Sequence, residues 1–295
     1  MSVTVTDTLR LGLIGFGEAA EAFATGWGRE LTAHARAYDE KCDNPETETL
    51  PLERMRRSGV APAATRAEAL AGAEAVFCLV TADQAVRAAE QAAPCLAPGA
   101  FWFDGNSCSP GAKRKAAQLV EAAGGRYVDV AIMAPVHPRL HRTPLLIAGP
   151  HVGKAGALLE RLGMVAKPVG ETVGEASAIK MIRSVMIKGM EALTAECLLA
   201  ARRAGIEERV LQSLQASNPG IDWPNQAAYN LERMMVHGKR RAAEMREVAV
   251  TLTELGLPNG VASATADWQQ RIGDLALPAG EDAFADRADA ILKRL

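Results

Sequence analysis

The sequence lacks the cysteine patterns of disulfide-rich and zinc-binding proteins. Its five cysteines are odd in number, scattered along 295 residues, and never spaced as a Cys-x-x-Cys pair. A disulfide framework needs paired cysteines, and a structural zinc site needs closely spaced ligands. Both classes are excluded, so we predict no metal site and a reducing, cytoplasmic location.

Long apolar runs and an excess of charge of one sign are also missing. No segment approaches the roughly 20 apolar residues of a membrane-spanning helix, and residues 1–10 have no apolar core of signal-peptide length. The formal net charge is only -2, with 33 basic and 35 acidic residues. This balance gives no overall attraction to nucleic acid or to an anionic membrane, so we expect a small-molecule partner that is recognised locally.

From residue 11 to about residue 169, short β-rich runs alternate with Ala-rich helical runs. This alternation is typical of βαβ units around a parallel sheet, so residues 1–169 are predicted to form a Rossmann-type, doubly wound α/β domain. The predicted strands are Leu11–Ile14, Ala33–Tyr38, Ala75–Val80, Ala100–Phe103, Tyr127–Ile132 and Leu145–Ala148. The predicted helices between them include Glu18–Arg29, Ala82–Ala93 and Gly111–Ala123.

After Gly170–Gly174 the strand-like runs end, and residues 170–295 are predicted to form an all-helical domain. Its first helix extends from Glu175 to about Ala204, roughly 45 Å at the standard rise per residue. Because apolar residues lie on most of its faces, we predict a homodimer formed through this domain. Further predicted helices are Gln226–Val236, Lys239–Leu255 and Gly260–Ala276.

The first predicted strand is followed directly by the turn Gly15-Phe16-Gly17-Glu18-Ala19-Ala20, which opens a helix. In a G-x-G-x-x-A turn, the first glycine makes the bend, the second admits a pyrophosphate, and the small third residue lets helix and strand pack. A glycine turn alone can be structural, but Asp39 ends the second strand about 20 residues later, as in dinucleotide sites. The predicted NAD(P) contacts are Gly15, Phe16, Gly17, Glu18, Ala19, Asp39, Lys41, Val80 and Thr81.

Asp39 also bears on the choice of cofactor. Its carboxylate suits the ribose hydroxyls of NAD and would repel the 2′-phosphate of NADP. Lys41 could offset that repulsion. The cofactor is therefore predicted to be NAD or NADP, with NAD favoured.

A loop of small polar residues, 104–110, follows the strand predicted at Ala100–Phe103. Ligands bind at the carboxyl ends of strands in an open parallel sheet, so Asn106 and Ser107 are candidate substrate ligands. Alternatively, Ser107 or Ser109 caps the next helix. The residues alone leave both interpretations open.

Near its start, the long predicted helix places Lys180, Ser184, Lys188 and Glu191 on one face, because they are spaced three or four residues apart. A lysine that is buried on an apolar helix has a lowered pKa and can act as a base. The alternative is a solvated stripe on an amphipathic helix.

Three motifs occur in order over nearly the whole chain: Gly15-x-Gly17-x-x-Ala20, Asp104-Gly105-Asn106-Ser107 and Gly174…Lys180-x-x-x-Ser184. In order and spacing they resemble the β-hydroxyacid dehydrogenase and 6-phosphogluconate dehydrogenase superfamily, which includes 3-hydroxyisobutyrate dehydrogenase. The resemblance implies that Lys180 is the general acid/base and that Asn106, Ser107 and Ser184 hold and orient the substrate. It also implies that the nicotinamide lies between the two domains.

Three departures from the superfamily pattern concern the substrate. Where relatives have Ser-Gly-Gly for the substrate carboxylate, this chain has Met133-Ala134-Pro135. The usual Asn four residues after the catalytic lysine is Ser184, which leaves room for a bulkier substrate or a water. A Lys-Asp pair of relatives is replaced by Ala243-Glu244, in a segment, HGKRRAAEM, that resembles a branch whose substrate has largely lacked assignment.

Two basic clusters, residues 137–142 and 237–241, could supply the missing anion contact. Arginine binds carboxylates and phosphates through two parallel hydrogen bonds, so Arg240 and Arg241 are candidate substrate ligands. Solvated surface charge is the alternative for both clusters. Cys108 is interpreted as a space-filling residue, because no histidine is nearby in sequence to activate it.

These observations predict hydride transfer between a nicotinamide cofactor and a 3-hydroxy acid, with or without decarboxylation of the product. Two alternatives are an imine reductase, against which the retained Lys180 argues, and a cofactor-binding regulatory protein without catalysis. No motif specifies the substrate itself.

Overall fold

The computed structural model describes residues 9–295. The chain divides into two compact units, the first ending at Lys180 and the second comprising Met181–Leu295. The boundary predicted at residue 170 precedes this division. Each unit is described by itself.

The first unit is built on one eight-stranded sheet with the order β3-β2-β1-β4-β5-β6-β7-β8. Its strands are β1 Leu11–Ile14, β2 Ala35–Tyr38, β3 Ala61–Pro62, β4 Ala75–Cys78, β5 Phe101–Asp104, β6 Arg126–Ile132, β7 Leu145–Ala148 and β8 Ala166–Gly170. All neighbours are parallel except β6 and β7, which are antiparallel. The predicted α/β fold is confirmed.

Helices cover both faces of this sheet, which explains why its strands are nearly continuous apolar runs. They are α1 Glu18–Thr32, α2 Thr49–Ser58, α3 Arg66–Leu70, α4 Ala85–Ala92, α5 Pro110–Ala122 and α6 Val152–Arg161. Alternate residues of β4 and β5 enter opposite cores, with Phe77 and Phe103 on one side and Val76 and Trp102 on the other. Because β1, β4 and β5 are parallel neighbours, their carboxyl ends lie at one edge of the sheet.

The second unit is helical. Helix α7, Glu175–Arg203, begins in the first unit, and it is followed by α8 Glu207–Ser217, α9 Trp223–Glu254, α10 Gly260–Asp274 and α11 Phe284–Leu292. Within residues 9–295, no helix has the length and apolar character to cross a membrane.

The prediction of two helices over residues 226–255 was wrong, because α9 is continuous across Gly238. A Cβ at Gly238 would lie 2.4 Å from the Gln269 carbonyl oxygen and 2.7 Å from the Gly273 Cα. This glycine therefore permits the close crossing of α9 and α10 and does not end a helix.

Candidate active site

The turn between β1 and α1 has two glycines with different requirements. Gly15 has φ +83°, and a Cβ there would lie 2.7 Å from the Leu79 carbonyl oxygen, so the backbone excludes any side chain. Apart from the two residues next to Gly17 in the chain, no atom of residues 9–295 lies within 4 Å of the position that a Cβ of Gly17 would take. The second glycine thus opens a space at the start of α1.

Helix α1 begins at Glu18 with no side-chain hydrogen bond at its N-cap. The first N–H groups of a helix have no partner within the helix, and together with the helix dipole they favour an anion. The space beside Gly17 and these N–H groups fit a dinucleotide pyrophosphate.

Asp39, which follows β2, lies beside the same turn. Its Oδ2 accepts a hydrogen bond from the Phe16 N–H at 2.7 Å, and its Oδ1 accepts one from the Lys41 N–H at 3.0 Å. The structure therefore brings Asp39, Phe16 and Lys41 together beside the turn.

Asn106 connects the polar loop after β5 to the segment after β4. Its Oδ1 accepts from the Val80 N–H at 2.7 Å, while its Nδ2 donates to Asp104 Oδ1 at 2.7 Å and lies 3.3 Å from Cys78 Sγ. Thr81 follows Val80 and precedes a short 3₁₀ turn. Both amide hydrogens of Asn106 are directed at protein acceptors, so this side chain holds the loop in place.

Of the two serines in the loop, Ser109 caps a helix and Ser107 contacts Lys180. Ser109 is the N-cap of α5, and its hydroxyl accepts from the Ala112 N–H at 3.4 Å. Ser107 instead accepts a hydrogen bond from Lys180 Nζ at 2.6 Å, across 73 positions of sequence. The first unit therefore holds a lysine and a hydroxyl together, next to the carboxyl end of β5.

The other predicted site residues, Ser184, Arg240 and Arg241, belong to the second unit. Ser184 Oγ accepts from Lys188 Nζ at 3.0 Å, and Arg240 pairs with Glu244 at 2.6 Å. Arg241 is buried and pairs with Glu191. In each case the partner is a side chain of the same unit.

The stretch Met133-Ala134-Pro135 is apolar and only partly buried. Met133 packs against the alanine cluster around Ala131, in place of the serine of relatives. Burial, and secondarily the Arg142 guanidinium, lowers the pKa of His141, which disfavours the charged imidazolium in this basic loop. Cys108 is fully buried, with its thiol 3.9 Å from the Asn106 carbonyl oxygen.

Sequence reasoning missed two charged residues beneath the loop, Lys113 and Asp129. Both are fully buried and lie 3.4 Å apart, Nζ to Oδ1. A signal was present, because Lys113, Ala116, Ala117 and Val120 follow helical spacing on the buried face of α5. Among residues 9–295, no group of three or more His, Cys, Asp or Glu side chains could hold a metal ion.

The glycine turn and Asp39, at the carboxyl ends of neighbouring parallel strands, define a dinucleotide-binding Rossmann fold. Residues 27–169 match the family described as the NAD binding domain of 6-phosphogluconate dehydrogenase, and residues 201–272 match a domain family of unknown function, DUF1932.

Several solved structures share this fold. A conserved hypothetical protein from Sinorhizobium meliloti 1021 is 36% identical, with a TM-score of 0.74 and 98% of each chain covered. A conserved protein of unknown function, described as structurally similar to 3-hydroxyacid dehydrogenases, is 31% identical, with a TM-score of 0.66 over 90% of this chain and 97% of that one. Mycobacterium tuberculosis 3-hydroxyisobutyrate dehydrogenase with L-serine shares the fold at 16% identity and a TM-score of 0.70, over 97% and 98% of the chains. The chain belongs to the β-hydroxyacid dehydrogenase and 6-phosphogluconate dehydrogenase superfamily.

Proposed function

We propose that this chain is an NAD(P)-dependent dehydrogenase that transfers a hydride between the nicotinamide and a 3-hydroxy acid. The observation that carries this proposal is the 2.6 Å hydrogen bond from Lys180 Nζ to Ser107 Oγ. An amine held beside a hydroxyl, near the edge that carries the glycine turn, suits proton transfer to and from an alcohol.

In the oxidative direction, neutral Lys180 accepts the proton of the substrate hydroxyl, and in the reductive direction the ammonium returns it. The Ser107 hydroxyl, which accepts from Lys180, can donate its own hydrogen to the substrate oxygen and so orient it. Bound nicotinamide supplies the hydride acceptor or donor. The glycine turn would hold the pyrophosphate of the dinucleotide, and Asp39 would hold its adenosine ribose.

We assign supporting roles to three residues of the second unit. Ser184 is proposed to orient the substrate, and Arg240 and Arg241 are proposed to supply an anion contact. The Arg240 side chain is 49% exposed and so is the better placed of the two arginines to meet an anion. Arg241 is already the counter-ion of a buried carboxylate.

NAD is the proposed cofactor, because the Asp39 carboxylate lies beside the glycine turn and would repel a 2′-phosphate. Comparison of the Michaelis constants for NAD and NADP tests this preference. A lower constant for NADP would overturn it.

The test of the function is a panel of hydroxy acids with NAD or NADP, read by cofactor reduction. L-serine, with which the M. tuberculosis structure was solved, is itself a 3-hydroxy acid, so this class heads the panel. Oxidation of such an acid yields a β-keto acid, and carbon dioxide released in equal amount to reduced cofactor would identify decarboxylation. Turnover of imines but not of hydroxy acids would favour the imine reductase alternative, and cofactor binding without any turnover would favour a regulatory protein.

We also propose that the chain forms a homodimer through its second unit. Ile182, Met186 and Leu193 form an apolar stripe on α7, exposed by 48%, 65% and 66%. Arg183 and Glu196 are exposed near opposite ends of this stripe, so an antiparallel second copy would pair opposite charges. Light scattering at micromolar concentration should give the dimer mass, and a monomer would contradict this proposal.

A further inference from the structure

Three charged side chains are fully buried beneath the loop that carries Ser107. They are Asp104 at the end of β5, Lys113 of α5 and Asp129 of β6. Lys113 Nζ donates to the Asp104 backbone oxygen at 2.5 Å and to Asp104 Oδ1 at 3.0 Å, and it lies 3.4 Å from Asp129 Oδ1. One ammonium therefore serves as the counter-ion of two carboxylates.

The Asp104 carboxylate fixes the loop. Its Oδ1 accepts from the Asn106 backbone N–H at 3.0 Å and from Asn106 Nδ2 at 2.7 Å, and its Oδ2 accepts from Tyr127 Oη at 2.6 Å. Burial, and secondarily the Asp104 charge, raises the pKa of Tyr127 well above its ordinary value, so the phenol remains a donor. These bonds set the backbone immediately before Ser107.

The Asp129 carboxylate fixes the start of α7. Its Oδ2 accepts from the Gly174 N–H at 3.1 Å and from the Ser177 N–H at 3.0 Å. Among residues 9–295, its Oδ1 makes no hydrogen bond, and it forms an ion pair with Lys113. Asp129 is thus a capping residue supplied by a strand, and Lys180 lies about one helical turn after Ser177, the second of the two residues whose amides it caps.

We propose that Lys113 is a positioning residue that ties the Ser107 loop to the first turn of α7 and thereby sets the Lys180–Ser107 geometry. The expected effect of Lys113 on catalysis rests on the proposed function. The mechanical connection itself depends only on the contacts described above.

The charge of Lys113 is required for this role. Burial alone would lower the pKa of its ammonium, but the carboxylates of Asp104 and Asp129 raise it above the ordinary value. A neutral side chain would leave two buried carboxylates facing each other without a cation, and such groups repel. The loop and the helix start would then have no common anchor.

The main test compares Lys113→Gln with Lys115→Gln, which makes the same change on an exposed position of the same helix. In Lys113→Gln we expect hydrogen exchange to accelerate about tenfold at both residues 104–108 and residues 174–178, the equivalent of one lost hydrogen bond. The kcat should fall about 100-fold, because misplacing catalytic groups by about 1 Å has that effect, while the KM for cofactor stays unchanged. Lys115→Gln should change neither.

Two further variants keep the test decisive if Lys113→Gln does not fold. Lys113→Arg restores the charge and should recover part of the exchange protection and of kcat. Asp129→Asn retains an oxygen acceptor but removes one carboxylate charge, and it should accelerate exchange at residues 174–178 and lower kcat with cofactor KM unchanged.

Exchange that accelerates in only one of the two segments in folded Lys113→Gln, or evenly across the first unit, would overturn the connection. Unchanged kcat in a folded variant would overturn the positioning role. Exchange needs no substrate, so a wild-type protein that oxidises no hydroxy acid would refute the proposed function while leaving the connection to stand or fall separately.

Discussion

Each of the two units buries a cluster of charged side chains, but the hydrogen-bond donors to the buried carboxylates differ between the two clusters. In the first unit, Asp104 and Asp129 accept hydrogen bonds from backbone N–H groups of the Ser107 loop and the α7 start. In the second unit, Glu191 is bonded by Arg241 and by Gln269, so only side chains of neighbouring helices are joined. We therefore expect the first cluster to set the Lys180–Ser107 geometry and the second to stabilise helix packing. The difference separates variants that should lose activity from those that should lose stability.

Lys180→Ala should show the largest effect on activity. Loss of the general acid/base should reduce kcat by about 10²–10⁴-fold while cofactor affinity stays normal, since the glycine turn is untouched. Steady-state kinetics and cofactor titration measure the two quantities. A variant with near-normal kcat but altered cofactor affinity or stability would end the mechanism proposed here.

Lys188 is the matched control on the same helix, about 12 Å farther along its axis. It is buried and ion-paired with Glu244 at 2.9 Å, whereas Lys180 is bonded to a neutral hydroxyl. Lys188→Ala should therefore lower the free energy of unfolding and change kcat much less than Lys180→Ala. Equal losses of kcat in the two variants would contradict a specific catalytic role for Lys180.

Arg241→Met should show a large loss of stability. It leaves Glu191, 2% exposed, without its cation, and breaking a buried ion pair in this way costs about 3–5 kcal/mol. Arg240→Met removes a side chain that is 49% exposed and leaves its partner Glu244 paired with Lys188, so it should cost less than about 1 kcal/mol. Urea unfolding measures both. If Arg241→Met unfolds like wild type, the packing role of Arg241 is wrong, whereas a raised substrate KM in Arg240→Met would support its proposed anion contact.

The two glycines of the β1–α1 turn should separate folding from cofactor binding. Gly15→Ala forces a side chain into a left-handed, crowded position and should cost about 1–3 kcal/mol of stability. The methyl group of Gly17→Ala would have no contact within 4 Å among residues 9–295 beyond its chain neighbours, so this variant should keep its stability nearly unchanged. It should weaken cofactor binding by about tenfold, a loss of about 1.4 kcal/mol. Thermal unfolding and cofactor titration distinguish them, and tight cofactor binding by Gly17→Ala would place the pyrophosphate elsewhere.

His141 should give the smallest effect. Because burial lowers its pKa in the folded state, the unfolded state binds the proton first, and stability falls as pH drops below about 6.5 toward the folded pKa. The difference in unfolding free energy between pH 8 and pH 5 should therefore be smaller in His141→Gln than in wild type. His34→Gln, at an exposed position, is the control. An unchanged pH dependence in His141→Gln would show that other groups cause it.

Several elements were beyond sequence reasoning for identifiable reasons. Strand β3 has only two residues, and β8 contains Pro168, a residue that is unfavourable in strands. Helix α9 was divided because Gly238 has a low helix propensity, and only its contact with α10 shows why a glycine is needed there. Lys113 was overlooked because a lysine is seldom buried, and its two carboxylate partners come from different strands.

The sequence by itself determined the alternation of strands and helices, the glycine turn and the position of Asp39. These features are local, since they depend on backbone propensity and on residues within one βα unit. Only the tertiary structure decided that Ser107 rather than Ser109 faces Lys180, and that Asp129 caps α7. Those pairings join residues 73 and 48 positions apart, and they exist because the strands that carry Asp104 and Asp129 are neighbours in the sheet. Periodicity specifies which face of an element is buried, but the packing of the whole unit selects the partner.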